Sequence, residues 1–524
     1  MVEIYDCTLR EGEQAEGASF SNCNRLELCK RLDEFGVNFI ELGWPLASSE
    51  IFESFKEALC VVKNAKIVAF GSTAINPNIE EDANLNSIVL TGVKHACIFG
   101  KTDLDHVEKQ LRIGLDDNLN KIKDSVGFLV GKGLTVFYDA EHYFDGFKKD
   151  SEYAVETLVS ALHGGASRLI LCDTNGGVLP DEAFGVVKET IKSLKKRGFR
   201  DDDINLGVHF HEDSALALAN TLSCLSLIKQ VQGTINGIGE RVGNLNFSEF
   251  LPVYIKKLNG EADVKLEKLK ELNDFAFKIA GLSAPEKRAF VGDSAFTHKA
   301  GVHIDAIKKG AGYEHVCPRD FGNKTVILLN SLGGRSSVVG LAEQFGYKLD
   351  KKDIFVKENI QELFEELKEL EKKGYRVGAL KAEQFLLIEK YFGENKQIFN
   401  VNEWNVNSEL KDGKERSYFK VICNLNGETF EDDLSVEGGP IDAAFKTLKN
   451  IVGEKYDIED LQLGDFHVSI AVRHGEESAV RTEIFFSDGV GFSTVCVDQN
   501  ILGSAIGALE KGFRYYLIQK GKNE

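Results

Sequence analysis

Two imidazoles two residues apart, in Val208-His209-Phe210-His211, carry the first chemical signal in this sequence. The run around them reads as the end of a β-strand, and side chains at i and i+2 of a strand point to the same side. Both rings could therefore face one ion. Glu11 and Asn244, each near another strand end, would complete a mixed nitrogen and oxygen set. Such a set suits a borderline-to-hard divalent cation: magnesium, manganese or zinc. Taken alone, Glu11 reads equally well as a solvated loop carboxylate; the four residues together favour the metal. Arg10 precedes Glu11 in Arg10-Glu11-Gly12-Glu13-Gln14. Its guanidinium keeps its proton, so beside a cation it would stabilise developing oxyanion charge. The alternative is a rim salt bridge to Glu11 or Glu141. In Cys172-Asp173-Thr174-Asn175-Gly176-Gly177, a hydroxyl and backbone amides at a Gly-rich helix start could hold a carboxylate.

Groups so far apart in sequence need a scaffold that gathers them. Up to about residue 240, short β-branched or aromatic runs alternate with longer amphipathic stretches. The pattern predicts strands at Glu3–Asp6, Val37–Leu42, Lys66–Phe70, Lys94–Phe99, Leu134–Tyr138, Arg168–Cys172, Asn205–His209 and Gln232–Ile235. About eight β/α units in roughly 250 residues match a closed parallel TIM (β/α)8 barrel, with a doubly wound open sheet as the alternative. The polar residues decide for the barrel. Arg10 and Glu11, Glu41, Glu141, Asp173 and Thr174, His209 and His211, then Asn236, Glu240 and Asn244 all fall at strand ends. Barrel enzymes collect their active sites at the C-terminal ends of their strands.

The barrel is expected over residues 1–275, and the alternation stops soon after. A helical region is expected over 276–400. It contains Ala295-Phe296-Thr297-His298-Lys299-Ala300-Gly301-Val302-His303, the stretch Tyr313 to Pro318, and the loop-like Gly333-Gly334-Arg335-Ser336. It runs into a helix whose apolar positions Ile360, Leu363, Phe364, Leu367 and Leu370 have the spacing of one buried face. The polar, Asn-rich stretch from about Glu394 to Glu415 reads as a linker, placed at 401–415. Residues 416–524 read as a separate α+β domain. Strands at Ser417–Asn424, His467–His474 and Thr482–Ser487 surround a helix opened by Gly438-Gly439-Pro440, and a helix from Ile501 to Leu517 closes it. This gives two similar strand-strand-strand-helix halves, a weak internal repeat.

Composition narrows the function classes. Among 524 residues, 63 Lys and Arg stand against 82 Asp and Glu, a net charge of −19. Such a chain is a poor partner for nucleic acid or an anionic membrane surface. No apolar stretch approaches the roughly 20 residues needed to span a bilayer. The start, Met1-Val2-Glu3-Ile4-Tyr5-Asp6, reads directly as a strand rather than as a signal peptide. Ten cysteines scattered without close metal-type pairing point to reduced thiols in a cytoplasmic enzyme.

Three segments carry a resemblance. Asp6-Cys7-Thr8-Leu9-Arg10-Glu11-Gly12-Glu13-Gln14 resembles the opening signature of the isopropylmalate, homocitrate and citramalate synthases, the barrel metallo-acyltransferases. His209-Phe210-His211 and Gly237-Ile238-Gly239-Glu240-Arg241-Val242-Gly243-Asn244 look like that family's second and third signatures. Within the family, Tyr138 to Gly146, Leu171 to Gly177 and Gln232 to Gly237 look most like its longer citramalate-forming members. The resemblance covers nearly the whole chain, including a C-terminal region similar to the family's amino-acid-sensing domain. It implies a divalent metal held by Glu11, His209, His211 and Asn244, with acetyl-CoA as co-substrate. It implies Arg10 as electrostatic catalyst, Glu141 in the catalytic network, and Arg10, Gln14 and Thr174 as binders of the acceptor. His303 and Tyr313 match a His and a Tyr that the second subunit of a homodimer inserts over the barrel mouth. From the residues alone, His303 could equally be a buried structural histidine.

The reaction so implied joins the acetyl group of acetyl-CoA to a small 2-oxo acid. Pyruvate, giving citramalate for isoleucine synthesis, is the expected acceptor, and Tyr143, Phe144 and Phe147 are candidates to narrow the pocket around its methyl group. The sequence departs from the citramalate synthase pattern at Cys7, where Thr or Ser is usual, at Glu11, where Asp is usual, and at Glu212, where Asn is common. The rival activities are 2-isopropylmalate or homocitrate synthesis, a reverse carbon–carbon lyase, and a non-catalytic amino-acid-sensing paralogue. For the C-terminal domain the expectation is a regulatory site for an end-product amino acid at Gly438, Gly439 and Pro440 and at Gly489-Val490-Gly491. A plain dimerisation module is the alternative.

Overall fold

The computed structural model describes residues 1–298, 311–329, 334–350, 352–375, 377–394, 398–474, 477–488 and 491–523. His303, Gly333, Gly489 and Val490 lie outside the described residues. The described chain divides into two compact units. Met1–Phe296 with Val316–Lys324 forms the first, and Thr297–His315 with Thr325–Glu524 the second.

The first unit is a closed parallel barrel of eight strands in sequential order. They are β1 (Glu3–Asp6), β2 (Phe39–Gly43), β3 (Lys66–Ser72), β4 (His95–Lys101), β5 (Thr135–Glu141), β6 (Arg168–Asp173), β7 (Leu206–Phe210) and β8 (Gln230–Gly233). Closure comes from β1 pairing in parallel with β8, with Glu3 opposite Gln230 and Asp6 opposite Gly233. Strands covered on both faces can be buried throughout, as in β2, where all five residues, the charged Glu41 among them, are buried. Inside the barrel, Tyr5, Phe39, Phe137, Val68 and Cys97 form one packed cluster, and the Phe39 and Phe137 rings meet edge to face at 5.1 Å. This plug closes the barrel interior, leaving the strand C-termini as its functional end.

Two devices fix the turn after β1 that carries Arg10 and Glu11. The buried Asp6 carboxylate accepts from the Thr8 amide at 3.0 Å and the Thr8 hydroxyl at 2.9 Å. The same hydroxyl accepts from the Ile235 amide at 2.8 Å, tying the first strand end to the last. Arg25, 2% exposed, donates to the carbonyls of Leu9 and Leu42, each at 3.1 Å, and to Glu13 at 2.8 Å. A buried guanidinium that satisfies two carbonyls and a carboxylate leaves the turn little freedom.

In the second unit, two-residue strands β9 (Thr297–His298) and β10 (Val326–Ile327) pair in parallel. Helices Arg335–Gln344, Ile354–Lys372 and Lys381–Phe392 share a core that includes Val338, Leu363 and Ile388. Ile360, Leu363 and Leu367 are buried, as their spacing predicts. Then come two antiparallel three-stranded sheets. β11 (Phe399–Lys411), β12 (Lys414–Leu425) and β13 (Glu428–Glu437) precede the helix Pro440–Gly453; β14 (Gln462–His474), β15 (Glu477–Ser487) and β16 (Phe492–Asp498) precede the helix Ile501–Asn523. The two strand-strand-strand-helix halves are therefore present.

The linker expected over 401–415 is not there. Those residues form β11, the tight turn after it and the start of β12. An edge strand takes its pairing from backbone hydrogen bonds and can carry polar side chains on its solvent face, so composition misleads. Asp412 and Gly413 have φ of 54° and 74°, the left-handed pair of a two-residue hairpin turn.

Candidate active site

Barrel closure brings the predicted metal set together. Glu11, His209 and His211 are all buried, and one ligand atom from each lies within 4.8 Å of the others. The imidazoles of His209 and His211 lie 5.1 Å apart, and His211 Nε2 is 3.8 Å from a Glu11 oxygen. Asn244 pairs with His211 in an isolated β-bridge and places its Nδ2 2.9 Å from His209 Nε2. Gly239 makes room for it: a Cβ there would stand 1.8 Å from Asn244 Oδ1. Burial, with Arg10 next, lowers the His209 pKa to about 4. Burial, with His209, Arg241 and Arg10 adding to it, lowers that of His211 to about 2. Both rings are therefore neutral at physiological pH, the form that ligates metals.

The donor set fits a divalent cation. Asn244 Oδ1 and His211 Nδ1 are buried with no hydrogen-bond partner among the described residues. Each such orphan costs about 1–3 kcal/mol. An ion held by the carboxylate, the imidazoles and the amide oxygen would offset part of that cost.

Glu11, His209 and His211 line a cavity of about 350 Å³. Arg10, Gln14, Glu141 and Thr174 also line it, so the structure gathers every barrel residue singled out for the acceptor. Arg10 forms ion pairs with Glu11 and, at 2.5 Å, with Glu41, and its guanidinium carbon lies 3.9 Å above the Phe70 ring. The rim salt bridge considered above is thus present on Glu11, while Glu141 pairs at 2.5 Å with Lys101 instead. Burial opposes the Arg10 charge, and the Glu41 carboxylate overrides it, so the cation is firmly held. Tyr313 is 49% exposed and belongs to the second unit.

Two expectations are corrected. No helix starts at Thr174: the helix begins at Pro180, and the Asp173 carboxylate takes the Gly177 and Val178 amides at 3.2 Å each. Those amides are spent; Thr174, whose hydroxyl accepts from the His142 amide at 2.8 Å, lines the cavity. Nor do Tyr143, Phe144 and Phe147 narrow the pocket. They pack in the core around the helix Tyr143–Lys149, with the Tyr143 hydroxyl 2.8 Å from Thr190. The helix that starts directly after β5 turns their rings away from the mouth. The apolar wall comes instead from Trp44, Ala47, Ile51, Phe70 and Phe99. Phe70 stacks on Phe99 at 5.5 Å, and Trp44 stands edge-on to both.

The sequence pattern placed Glu41 at a strand end without giving it a role, and Asp139 was passed over. Glu41, fully buried, accepts from the Tyr5 hydroxyl at 2.7 Å while holding Arg10. Asp139, its pKa raised to about 7 by burial and then by Glu41, lines the cavity. The available signal was a polar residue in a strand that is otherwise apolar, as at Asp139 in Phe137-Tyr138-Asp139-Ala140.

Family models match the chain in three consecutive pieces. The HMGL-like model covers residues 1–276. A model described as homocitrate synthase post-HMGL domain-like covers 290–375, and the LeuA allosteric (dimerisation) domain covers 380–517. The chain is 38% identical to an (R)-citramalate synthase of Aquifex aeolicus, over 99% of this chain and 98% of that protein. It is 36% identical to an (R)-citramalate synthase of Geobacter sulfurreducens, again over 99% and 98%. A probable 2-isopropylmalate synthase of Methanopyrus kandleri is similar at 27% identity, over 98% of this chain and 97% of that protein.

Proposed function

The chain belongs to the HMGL-like family, and on that premise we propose that it is an acyltransferase that condenses acetyl-CoA and pyruvate, with water, to (R)-citramalate and free CoA. The observation that carries this reading is the convergence of Glu11, His209, His211 and Arg10 on one cavity in a chain that matches citramalate synthases along nearly its full length.

Glu11, His209, His211 and Asn244 would hold the metal, which is magnesium, manganese or zinc. When bound, a divalent ion supplies Lewis acidity that polarises the acceptor's ketone. Arg10 offers a fixed positive charge where the new alkoxide develops, already oriented by Glu41 and Phe70, so little reorganisation is needed. Thr174, its oxygen occupied by the His142 amide, keeps its hydroxyl hydrogen to donate to the acceptor carboxylate. Glu141, held by Lys101 at the cavity edge, helps take the proton from the acetyl methyl group, together with His303. The resulting carbon nucleophile attacks the ketone, and hydrolysis of the thioester releases CoA and makes the sequence irreversible in practice.

The aromatic wall sets the acceptor preference. Trp44, Phe70 and Phe99 leave a small apolar space, and each methylene that does not fit costs about 1–3 kcal/mol. The kcat/KM for pyruvate should exceed that for 2-oxoisovalerate by about 10²-fold or more in a thiol-release assay. A higher value for 2-oxoisovalerate would reassign the chain to 2-isopropylmalate synthesis, and a higher value for 2-oxoglutarate to homocitrate synthesis.

The active species is a homodimer in which His303 and Tyr313 complete the partner's site, a reading supported by the match to the LeuA dimerisation domain. Mixing Arg10→Ala chains with His303→Ala chains should restore roughly a quarter of wild-type activity, because half the dimers are mixed and one of their two sites is intact. Verified heterodimers without activity would mean that each chain completes its own site. Among the described residues no helix is long and apolar enough to cross a membrane. All ten cysteines are unpaired, which supports residence in the cytoplasm. A feedback amino acid, isoleucine, binds the C-terminal domain near Gly438, Gly439 and Pro440.

A further inference from the structure

We propose that Gln232 is a positioning residue for the metal ligand His209, with its own orientation set by Asp139. The inference rests on the metal site proposed above and concerns how the protein presents one ligand to it. His209 and Gln232 are register partners on β7 and β8, side by side inside the barrel. Both are almost fully buried, at 4% and 1% exposure. His209 Nδ1 lies 2.8 Å from Gln232 Oε1, and Gln232 Nε2 donates to Asp139 Oδ1 at 3.3 Å. Cys97 Sγ donates to the same Asp139 oxygen at 3.0 Å.

The donor and acceptor roles along this chain are forced. Asp139 Oδ1 already accepts from Cys97 Sγ and stays an acceptor with or without a proton on Oδ2, so the Gln232 amide nitrogen faces Asp139 and its carbonyl faces His209. A carbonyl next to Nδ1 requires the hydrogen on Nδ1, which leaves the lone pair on Nε2. Asn244 lies beside the far ring nitrogen, at 2.9 Å from Nε2. That nitrogen faces the cluster formed with Glu11 and His211. Asp139 thus fixes the amide, the amide fixes the tautomer, and the tautomer aims the lone pair. A rotated Gln232 would set its oxygen against the Asp139 oxygen and its NH₂ against Nδ1. The ring would then carry its hydrogen on Nε2, where a metal needs a lone pair.

The test uses the full-length chain with Co²⁺ as the probe, reading affinity by chelator competition and ligand geometry by the visible spectrum. Gln232→Met, which keeps the volume but removes the acceptor, should weaken Co²⁺ binding by about 10–100-fold and shift the visible bands. Gln232→Glu combined with Asp139→Asn restores an acceptor to Nδ1 and sets an amide donor against the second carboxylate oxygen, and should bind within about threefold of wild type. Wild-type affinity and spectrum in Gln232→Met, or a loss in the Gln232→Glu, Asp139→Asn double variant equal to that in Gln232→Met, would overturn the inference. Should Gln232→Met fail to fold, Asp139→Asn carries the same test: it frees the amide to rotate and should weaken binding several-fold. Unchanged affinity in that variant overturns the anchoring by Asp139. His211→Ala separates the two readings, since wild-type Co²⁺ affinity there would remove the metal site itself.

Discussion

Turnover should fall by at least about 10³-fold when either His209 or His211 is replaced by alanine, with the barrel still folded. Removing one neutral imidazole from a buried set leaves the ion loosely held and the ketone unpolarised. Lewis-acid catalysis is worth several kcal/mol, and about 4 kcal/mol corresponds to about 10³ in rate. The fold should survive because both rings sit at the open end of β7, away from the Tyr5, Phe39 and Phe137 plug. Loss of His211 also removes a buried Nδ1 with no partner, so its alanine variant should be the less destabilised of the two. Steady-state kinetics, metal content and far-ultraviolet dichroism check this together. A folded, metal-replete variant with wild-type activity would take that residue out of the ligand set.

The second large effect is regulatory. A chain ended after Gly374 should keep its metal and lose all inhibition by isoleucine. The cut belongs there because the helix Lys381–Phe392 packs through Ala382 and Phe385 onto Tyr515 and Ile518, and Glu383 pairs with Lys511 at 2.8 Å. An end near residue 405 would divide β11 and strand that helix. Gly439 caps the helix Pro440–Gly453, whose first turn carries Asp442. Open amides there suit a carboxylate and Asp442 suits an ammonium group, the two ends of an amino acid. Inhibition requires the effector to favour one of two states, since equal affinity shifts nothing. Calorimetry on the full chain decides the ligand: no heat with isoleucine, leucine or lysine at millimolar concentration leaves only a dimerisation role.

Much of this was legible in the residues. Each barrel strand was found within a few positions, because β-branched runs between amphipathic stretches have few other folded solutions. The ligand set was legible because His209 and His211 share a strand face whatever surrounds them. What misled was composition. The Asn-rich stretch before residue 415 looked like a linker, although Asp412-Gly413 offered the hairpin signal. Tyr143, Phe144 and Phe147 looked like a pocket wall because they follow Glu141 closely, but the short helix they start turns them into the core.

Local pattern alone shows which groups exist and where they fall along the strands: Arg10 and Glu11 after β1, His209 on β7 with His211 just past its end, Asn244 beyond β8. Local periodicity and side-chain chemistry suffice for that. Their partners come from the closed barrel. Glu41 holds Arg10 across 31 positions, Gln232 meets His209 across a strand pair, and Trp44, Phe70 and Phe99 wall the cavity. Closing the barrel fixes the stagger between neighbouring strands, and that stagger sets which inward side chains share a layer. No local pattern encodes it, because it depends on eight strands being paired at once.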